Sequence, residues 1–461
     1  MGARRGSLLR SEPRIGNTIM DSGIIRLDPC RELIMRILLA HNSLYYPSYG
    51  GGDKSNRLLM EALAARGHDV RVVARVEKFG PEAHDSLLGE LAGRGVQASP
   101  LDGVGIRFQL NGVDIHVLTR DRLLRAFFSA QVDAFDPDAI LASTDDPAHL
   151  MLEAALRAPR ARVVYLIRAT IALPFGPDSS LASPVQSAVL RQADGVVAVS
   201  EYVADYARKW GALDAVHVPI SLLEPGEYSA VGRFENRYVT MVNPCGVKGI
   251  SIFLALARKM PGVEFAAIPT WGTTADDLAA LRALPNVSIV PPADRIDGVF
   301  EQTRVALVPS LWAEARSRII LEAMARGIPV MASNVGGLAE AMLGVGYLLP
   351  VNPVVRYRPT VDELMVPAAD IPEQEVSPWH EVLVRLVTDR AHYERLSAQA
   401  RRAALAYAAN LNALGFESYL GKIVGLPKRR ALAAPAPPET LSPEKRRLLA
   451  LRLKRLKNVG H

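Results

Sequence analysis

Short apolar runs of four to six residues recur along this chain, and most lead into a segment with helical spacing. In the first half they are Met35 to Ala40, Val70 to Ala74, Ala139 to Ala142, Val163 to Ile167 and Gly195 to Ser200. In the second half they are Tyr238 to Val242, Val263 to Ile268, Val287 to Val290, Val305 to Val308 and Ile328 to Ala332. Unbroken apolar runs of this length suit strands buried on both faces, as in parallel sheets covered by helices. Alternation with helices of 8–14 residues predicts an α/β protein built from doubly wound, Rossmann-like sheets.

One pair of runs departs from the alternation. Ile106 to Leu110 and Val113 to Leu118 flank Asn111-Gly112, which predicts a hairpin with a type I′ turn. A helix is expected over 121–134. The run Val216 to Ile220 leads into a polar stretch that ends near Arg233, so a domain boundary is expected there. The expected domains are 35–222 and 223–424, with a helical region from Trp379 to Tyr419 closing the second.

The chain of 461 residues is long enough for two such domains. No apolar run approaches the ~18–20 residues that span a membrane. Two cysteines, Cys30 and Cys245, argue against a disulfide framework and for a reducing cytoplasm. The net charge of +6 is a property of the tail. From Lys428 onward there are ten lysines and arginines against two glutamates, a net of +8, so the rest carries −2. The body is therefore not a nucleic-acid binder. Residues 1–34 are Arg-rich and aperiodic, and disorder is expected there. They lack the apolar core of a targeting peptide, and an upstream start site explains them at least as well.

The candidate chemistry gathers between Ser310 and Glu340. A strand ends in Pro309-Ser310. Glu314 follows, then seven residues, then Glu322 inside the helical run Ile319 to Ala325. Gly327 stops that helix, another strand follows, and Gly336-Gly337 opens a short helix carrying Glu340. Ligands of open α/β sheets bind beyond the carboxyl ends of the strands. Backbone amides at Ser317, Arg318 and Ile319, and those of the Gly336-Gly337 turn, favour a phosphate. A carboxylate accepts hydrogen bonds from paired hydroxyls. One carboxylate near a sugar and one near a ribose, with amides between, would hold a nucleotide sugar. Taken alone, Glu322 reads more simply as a solvated helix-face residue.

The string SLWAEARSRIILEAMARGIPVMASNVGGLAE closely resembles the donor-site signature of retaining GT-B glycosyltransferases, family 4 in particular. The resemblance covers about residues 35–424. It implies two Rossmann-like domains facing a cleft, with the last helices crossing back onto the first domain. It implies a nucleotide-diphosphate sugar on the second domain and an acceptor, a natural product or a glycan, on the first. By it, Glu314 faces the transferred sugar, Glu322 the ribose, and Lys248 in Lys248-Gly249 the diphosphate. Gly50, Gly51 and Gly52, in the loop before a helix expected from Lys54 to Arg66, approach the diphosphate and acceptor. It implies no metal and no cofactor.

Three positions depart from the family pattern. Arg316 and Ser317 replace an aromatic-glycine pair. Asn243 stands where an arginine is usual. Arg168 stands where many members have a histidine, and two readings remain: a cleft residue facing a substrate anion, or a strand-end surface residue. Trp271 likewise either covers the nucleotide base or packs under a loop. Asp136-Pro-Asp138 matches the metal-binding Asp-x-Asp pattern literally, but before a strand it reads as a turn.

Residues 425–440 read as a Pro/Ala-rich linker and 441–461 as a basic amphipathic helix, with Ser442 as cap and Pro443 in its first turn. Leu-Ser-Pro-Glu-Lys-Arg-x-Leu-Leu resembles the docking ends of nonribosomal peptide and polyketide synthetases. Docking to such a synthetase, contact with the inner membrane face, and a solvated helix all remain open for 441–457. Rival functions are another GT-B enzyme, a phosphorylase or an epimerase, or a degenerate protein partnering a synthetase. No lysine motif for pyridoxal phosphate is evident.

Overall fold

The computed structural model describes residues 34–429, apart from 49, 77–78, 80–81, 102, 121–123, 293–295 and 362–365. Residues 1–33 of the expected extension, 430–440 of the linker and the whole expected basic helix lie outside the described residues.

Nine strands form the first sheet: β1 (Arg36–Ala40), β2 (Asp69–Arg75), β3 (Ala98–Leu101), β4 (Gly105–Leu110), β5 (Val113–Leu118), β6 (Ala139–Ser143), β7 (Arg162–Ile167), β8 (Gly195–Ala198) and β9 (Ala215–His217). Their order is β3-β4-β5-β2-β1-β6-β7-β8-β9. Pairing is parallel except where β4 meets β3 and β5. Asn111 and Gly112 both take positive φ, 49° and 80°, as the expected type I′ turn requires. Chain order reverses between β1 and β6, so a crevice opens beyond their carboxyl ends.

Strands β10 (Tyr238–Val242), β11 (Glu264–Ile268), β12 (Val287–Ile289), β13 (Thr303–Val308), β14 (Val330–Ser333) and β15 (Tyr347–Leu349) form a second, all-parallel sheet. Its order, β12-β11-β10-β13-β14-β15, reverses between β10 and β13. Alternation along β13 sends Val305 and Leu307 to one core, with Phe253 and Trp379. It sends Ala306 and Val308 to the other, with Ile320 and Met324. Each leucine-sized side chain so buried contributes roughly 1.5–3 kcal/mol. A hairpin of β16 (Arg356–Val361) and β17 (Pro367–Asp370) is an addition the sequence pattern does not announce.

Helices occupy Ser377–Thr388, Arg390–Asn410 and Leu414–Gly425. The last sits on the first sheet, where Phe416 and Leu420 are fully buried in that sheet's core. Its Glu417 ion-pairs with Arg66 and stands 3.0 Å from His68. Among the described residues no helix is long and apolar enough to cross a membrane.

Candidate functional site

The crevice over β10 and β13 is built by two loops laid together. A single turn, Gly246–Lys248, ends at Gly249 with φ +83°. A Cβ at Gly249 would lie 2.0 Å from the Pro309 carbonyl oxygen, so only glycine admits this approach. The amides of Leu311 and Trp312 then both donate to the Val247 carbonyl, at 2.9 and 3.2 Å. The approach places Lys248 Nζ against Glu314 Oε1, as a hydrogen-bonded ion pair. The same ammonium lies 4.7 Å from the centre of the Trp312 ring. Ser310 Oγ donates to Glu314 Oε1 at 2.7 Å, and Ser333 Oγ holds the Ser310 carbonyl at 2.6 Å.

Glu314 is 8 % exposed. Burial opposes its charge, but the Lys248 ammonium and the donors around it hold its carboxyl below the usual range. Val242, Lys248, Ser310, Glu314, Ser317 and Ile319 are among the residues lining a small cavity here. The helix Arg318–Ala325 starts there, and its cap residue, Ser317, makes no side-chain cap bond. Its first amides therefore point their partial positive charge at the cavity mouth.

Glu322, one turn in, receives Arg318 Nη2 at 3.1 Å. Arg318 Nη1 in turn donates to the Leu222 carbonyl, tying this helix to the connection between the sheets. Arg316 points elsewhere, over the Tyr407 ring at 4.7 Å and 3.8 Å from Glu340. Asn243 is a loop anchor. It sits at φ 58°, and its Oδ1 accepts from the Gly272 amide at 3.0 Å. Trp271, beside it, is 44 % exposed and faces Trp312 at 6.0 Å.

Two expectations need correcting. The Gly337 amide of the Gly336-Gly337 turn is not free for phosphate: it donates to the Glu314 carbonyl at 2.7 Å. A Cβ on Gly336 (φ +57°) would lie 2.5 Å from that carbonyl oxygen, and one on Gly337 2.1 Å from that of Ala315. The two glycines let one backbone lie on another and so fix the Glu314 loop. The second correction concerns Gly51 and Gly52. They form the first helical turn of Gly51–Ala65, with Gly50 as cap, because Asp53 Oδ2 accepts the Gly50 amide at 3.2 Å.

Across the cleft, beyond β1 and β6, lie residues the sequence pattern did not single out. His41 follows β1 and is fully buried. Its Nδ1 lies 3.0 Å from Asp145, which follows β6, and its Nε2 lies 3.4 Å from Asp53. Burial opposes its charge, yet the hydrogen bond and charge of Asp145, then the charge of Asp53, raise its pKa. The Asp145 carboxyl, also opposed by burial, is lowered by the same contact. Asp53 also accepts from Ser43 Oγ at 2.6 Å. His41 directly follows one apolar run and Asp145 lies two residues beyond another, at the strands flanking the order reversal, whereas Asp53 lies in the first turn of the helix after β1.

Arg168 follows β7. Its amide donates to Thr144 Oγ1 at 3.0 Å and its Nη1 to Ser55 Oγ at 2.5 Å. The residue as a whole is half-buried, but its Nε and Nη2 are shielded from water and meet no acceptor among the described residues. Its pKa falls to about 9, through burial first, with the charge of Arg318 adding and that of Asp145 opposing.

The halves meet around Glu314. Thr170 Oγ1 donates to the Ala313 carbonyl at 3.4 Å and Ser200 Oγ to that of Ala315 at 2.7 Å. The Glu340 carboxylate accepts the amides of Glu201 and Tyr202, at 2.9 and 2.7 Å, and so caps the helix Glu201–Gly211 across the cleft. Gly51 reaches the same seam, its virtual Cβ 4.0 Å from Arg318 Cδ. Asp136 and Asp138 lie at the opposite, amino end of β6. There Asp138 accepts the Arg36 amide at 2.8 Å and Asp136 pairs with Arg160 at 2.9 Å. No group of residues that could hold a metal is found among the described residues.

Residues 50–221 match the family described as Glycosyl transferase 4-like domain, and residues 243–365 match Glycosyl transferases group 1. D-inositol 3-phosphate glycosyltransferase of Mycobacteroides abscessus is 27% identical over 227 residues, 43% of this chain and 50% of that protein. The Mycobacterium marinum protein of that name is 28% identical, over 43% of this chain and 47% of its own length. The chain thus spans about half the length of these curated relatives. Sucrose-phosphate synthase from Thermosynechococcus elongatus superposes with TM-score 0.59 and 18% identity, over 84% of this chain and 98% of that one. Anabaena HepE in complex with UDP-glucose gives 0.57 and 16%, over 84% and 98%. At such identities the likeness establishes the fold alone, and that fold is GT-B.

Proposed function

This chain belongs to the family-4-like, group 1 glycosyltransferases, and from that footing we propose that it transfers a sugar, with retention, from a nucleotide-diphosphate sugar to a hydroxyl acceptor. The observation that carries the reading is the Lys248–Glu314 pair, held at the mouth of the β10/β13 crevice beside an uncapped helix start. The diphosphate would draw Lys248 from Glu314, and the sugar hydroxyls would replace the ammonium as donors to that carboxylate. Lys248 and the first amides of the Arg318–Ala325 helix would then stabilise charge developing on the leaving diphosphate, where fixed dipoles act most strongly. The departing phosphate oxygen would take the acceptor proton. No metal is needed for these steps.

Trp271 and Trp312 offer an aromatic shelf for the base. Arg318 and Glu322 hold each other, so the ribose would be met by a carboxylate whose position is already fixed. Gly50 to Gly52 bring the other helix N-terminus to the cleft from the acceptor side. A structural neighbour solved with UDP-glucose makes UDP the first nucleotide to try.

The test is calorimetric binding of UDP-, GDP- and dTDP-sugars, followed by NMR of the product's anomeric centre. One nucleotide sugar is expected to bind saturably. Binding should weaken ~10–100-fold in Lys248→Ala, the loss of a charge-assisted contact. Failure of every donor to bind the folded protein would sink the proposal.

A further inference from the structure

Arg168 is a half-buried cation, its Nε and Nη2 shielded from water, that donates no hydrogen bond to a carboxylate among the described residues. The two carboxylates nearest in effect, Asp145 and Asp53, both influence its charge. Neither gives it a hydrogen bond, because each is already engaged. Asp145 accepts from the Asn42 amide at 2.8 Å and Ser143 Oγ at 2.7 Å, besides facing His41. Asp53 accepts from Ser43 Oγ and the Gly50 amide and faces the other side of His41. The nearby cation, Arg318, repels Arg168 and is itself paired with Glu322. A guanidinium offers five N–H groups in a planar fork. Here one nitrogen holds Ser55, and Nε and Nη2 are shielded with no acceptor among the described residues.

The location matters as much as the charge. Arg168 stands at the carboxyl end of β7, one strand from the order reversal. Two residues on, Thr170 touches the carbonyl next to Glu314. Arg168 thus stands beside the seam where the two halves meet.

We propose that Arg168 binds an anionic group, carboxylate or phosphate, carried by a substrate of this cleft. The proposal rests on the glycosyltransferase reading and narrows its substrate class. The anion belongs either to the transferred sugar, as a uronate, or to the acceptor. Once the guanidinium turns its Nε–Nη2 edge into the cleft, a carboxylate or phosphate would accept from both nitrogens, the paired geometry in which arginine binds such groups most strongly.

The experiment uses the full-length protein saturated with UDP, so that the diphosphate position is filled. Thermal melts are recorded against D-glucuronate, inorganic phosphate and, as neutral control, D-glucose, for wild type, Arg168→Gln and Arg168→Lys. One of the two anions should stabilise wild type saturably. Its half-saturating concentration should rise ~10-fold or more in Arg168→Gln, with Arg168→Lys between, as expected for losing charged hydrogen bonds. Glucose should act alike on all three. A response to glucuronate alone assigns the anion to the sugar, and one to phosphate alone assigns it to the acceptor. Without any anion, Arg168→Gln should melt about 2 °C above wild type, since an unpartnered buried charge has gone.

If neither anion distinguishes wild type from Arg168→Gln, the proposal is overturned. An Arg168→Gln protein that melts lower with its anion response intact would overturn it too, and would make Arg168 a structural residue. If UDP does not stabilise the protein, GDP and dTDP replace it; failure of all three is a failure of the donor reading, and the same anion titrations without nucleotide still judge Arg168.

Discussion

The two faces of the cleft handle charge in opposite ways. On the second sheet, Lys248 meets Glu314 and Arg318 meets Glu322, so the cations are matched before any ligand arrives. On the first sheet, His41 lies between Asp145 and Asp53, while Arg168 has two nitrogens with no acceptor. A matched pair binds a ligand by exchanging partners, which keeps the charges buried and ordered in both states. An unmatched cation binds by gaining a partner, which makes the ligand's own charge the criterion for entry. One face is suited to a donor common to many reactions and the other to selecting what reacts with it.

Breaking the matched pair should give the largest effect. Lys248→Ala leaves Glu314 buried with Ser310 as its remaining named donor, and should destabilise the protein by about 3–5 kcal/mol. Glu314→Ala should lose less stability, because Lys248 keeps the Trp312 face, and the double variant should recover part of the Lys248→Ala loss. Denaturant titration of the three variants checks this. The opposite sign is expected on the other face, where Arg168→Gln stabilises. Like signs at both places would erase the contrast.

Next in size is Gly336→Ala. Its φ of +57° is strained for any side chain, and its Cβ would meet the Glu314 carbonyl at 2.5 Å. A loss of about 2 kcal/mol or more is expected. Turnover should fall with it, since the displaced loop carries Glu314. An unchanged melting curve would mean that the glycines are not what fixes that loop.

The contrast also explains what could be read from the sequence. The second-sheet machinery lies largely within Ser310 to Glu340, and neighbouring loops assemble it. Lys248 joins through one close approach at Gly249. His41, Asp145 and Arg168 follow β1, β6 and β7, with Asp53 in the helix after β1, and they come together because those three strands are neighbours in the sheet. No local pattern records that adjacency. Four strands escaped notice: β3, β15, β16 and β17; β3 and β15 are edge strands, β16 and β17 form a hairpin of their own, and only β15, three residues long, is apolar throughout. The helix start was placed late because Gly51 and Gly52 have poor helix propensity, and Asp53 reaching back to the Gly50 amide outweighs it. The Gly-Gly turn was recognised, but the Gly337 amide was assigned to a ligand rather than to the Glu314 carbonyl.

A smaller effect should come from Glu340, which joins the two faces. Its carboxylate caps the Glu201–Gly211 helix from across the cleft. Glu340→Gln removes the charge at that helix start and should lose about 1 kcal/mol. If the contact holds the faces together, KM for both substrates should rise several-fold with kcat little changed. Loss of kcat alone would place Glu340 in the chemistry instead.

The smallest effect tests the same contrast by pH. His41 titrates above its ordinary value of 6.5 and Asp145 below its ordinary 3.8. A raised histidine contributes stability that is complete below the unfolded value and is lost as pH rises through the folded one. A lowered carboxylate contributes stability that is lost as pH falls through its folded value. The stability gap between wild type and Asp145→Asn should therefore be widest in the mildly acid range and narrow as pH rises past the His41 titration. Glu314 titrates below its ordinary 4.5, so the gap between wild type and Lys248→Ala should show no such narrowing over about pH 5 to 8. Urea midpoints for both pairs across that range provide the comparison. Parallel curves would mean that His41 is not charged in the folded protein. Arg168 would then stand beside two carboxylates with charge to spare, and the argument for an anionic substrate would weaken with it.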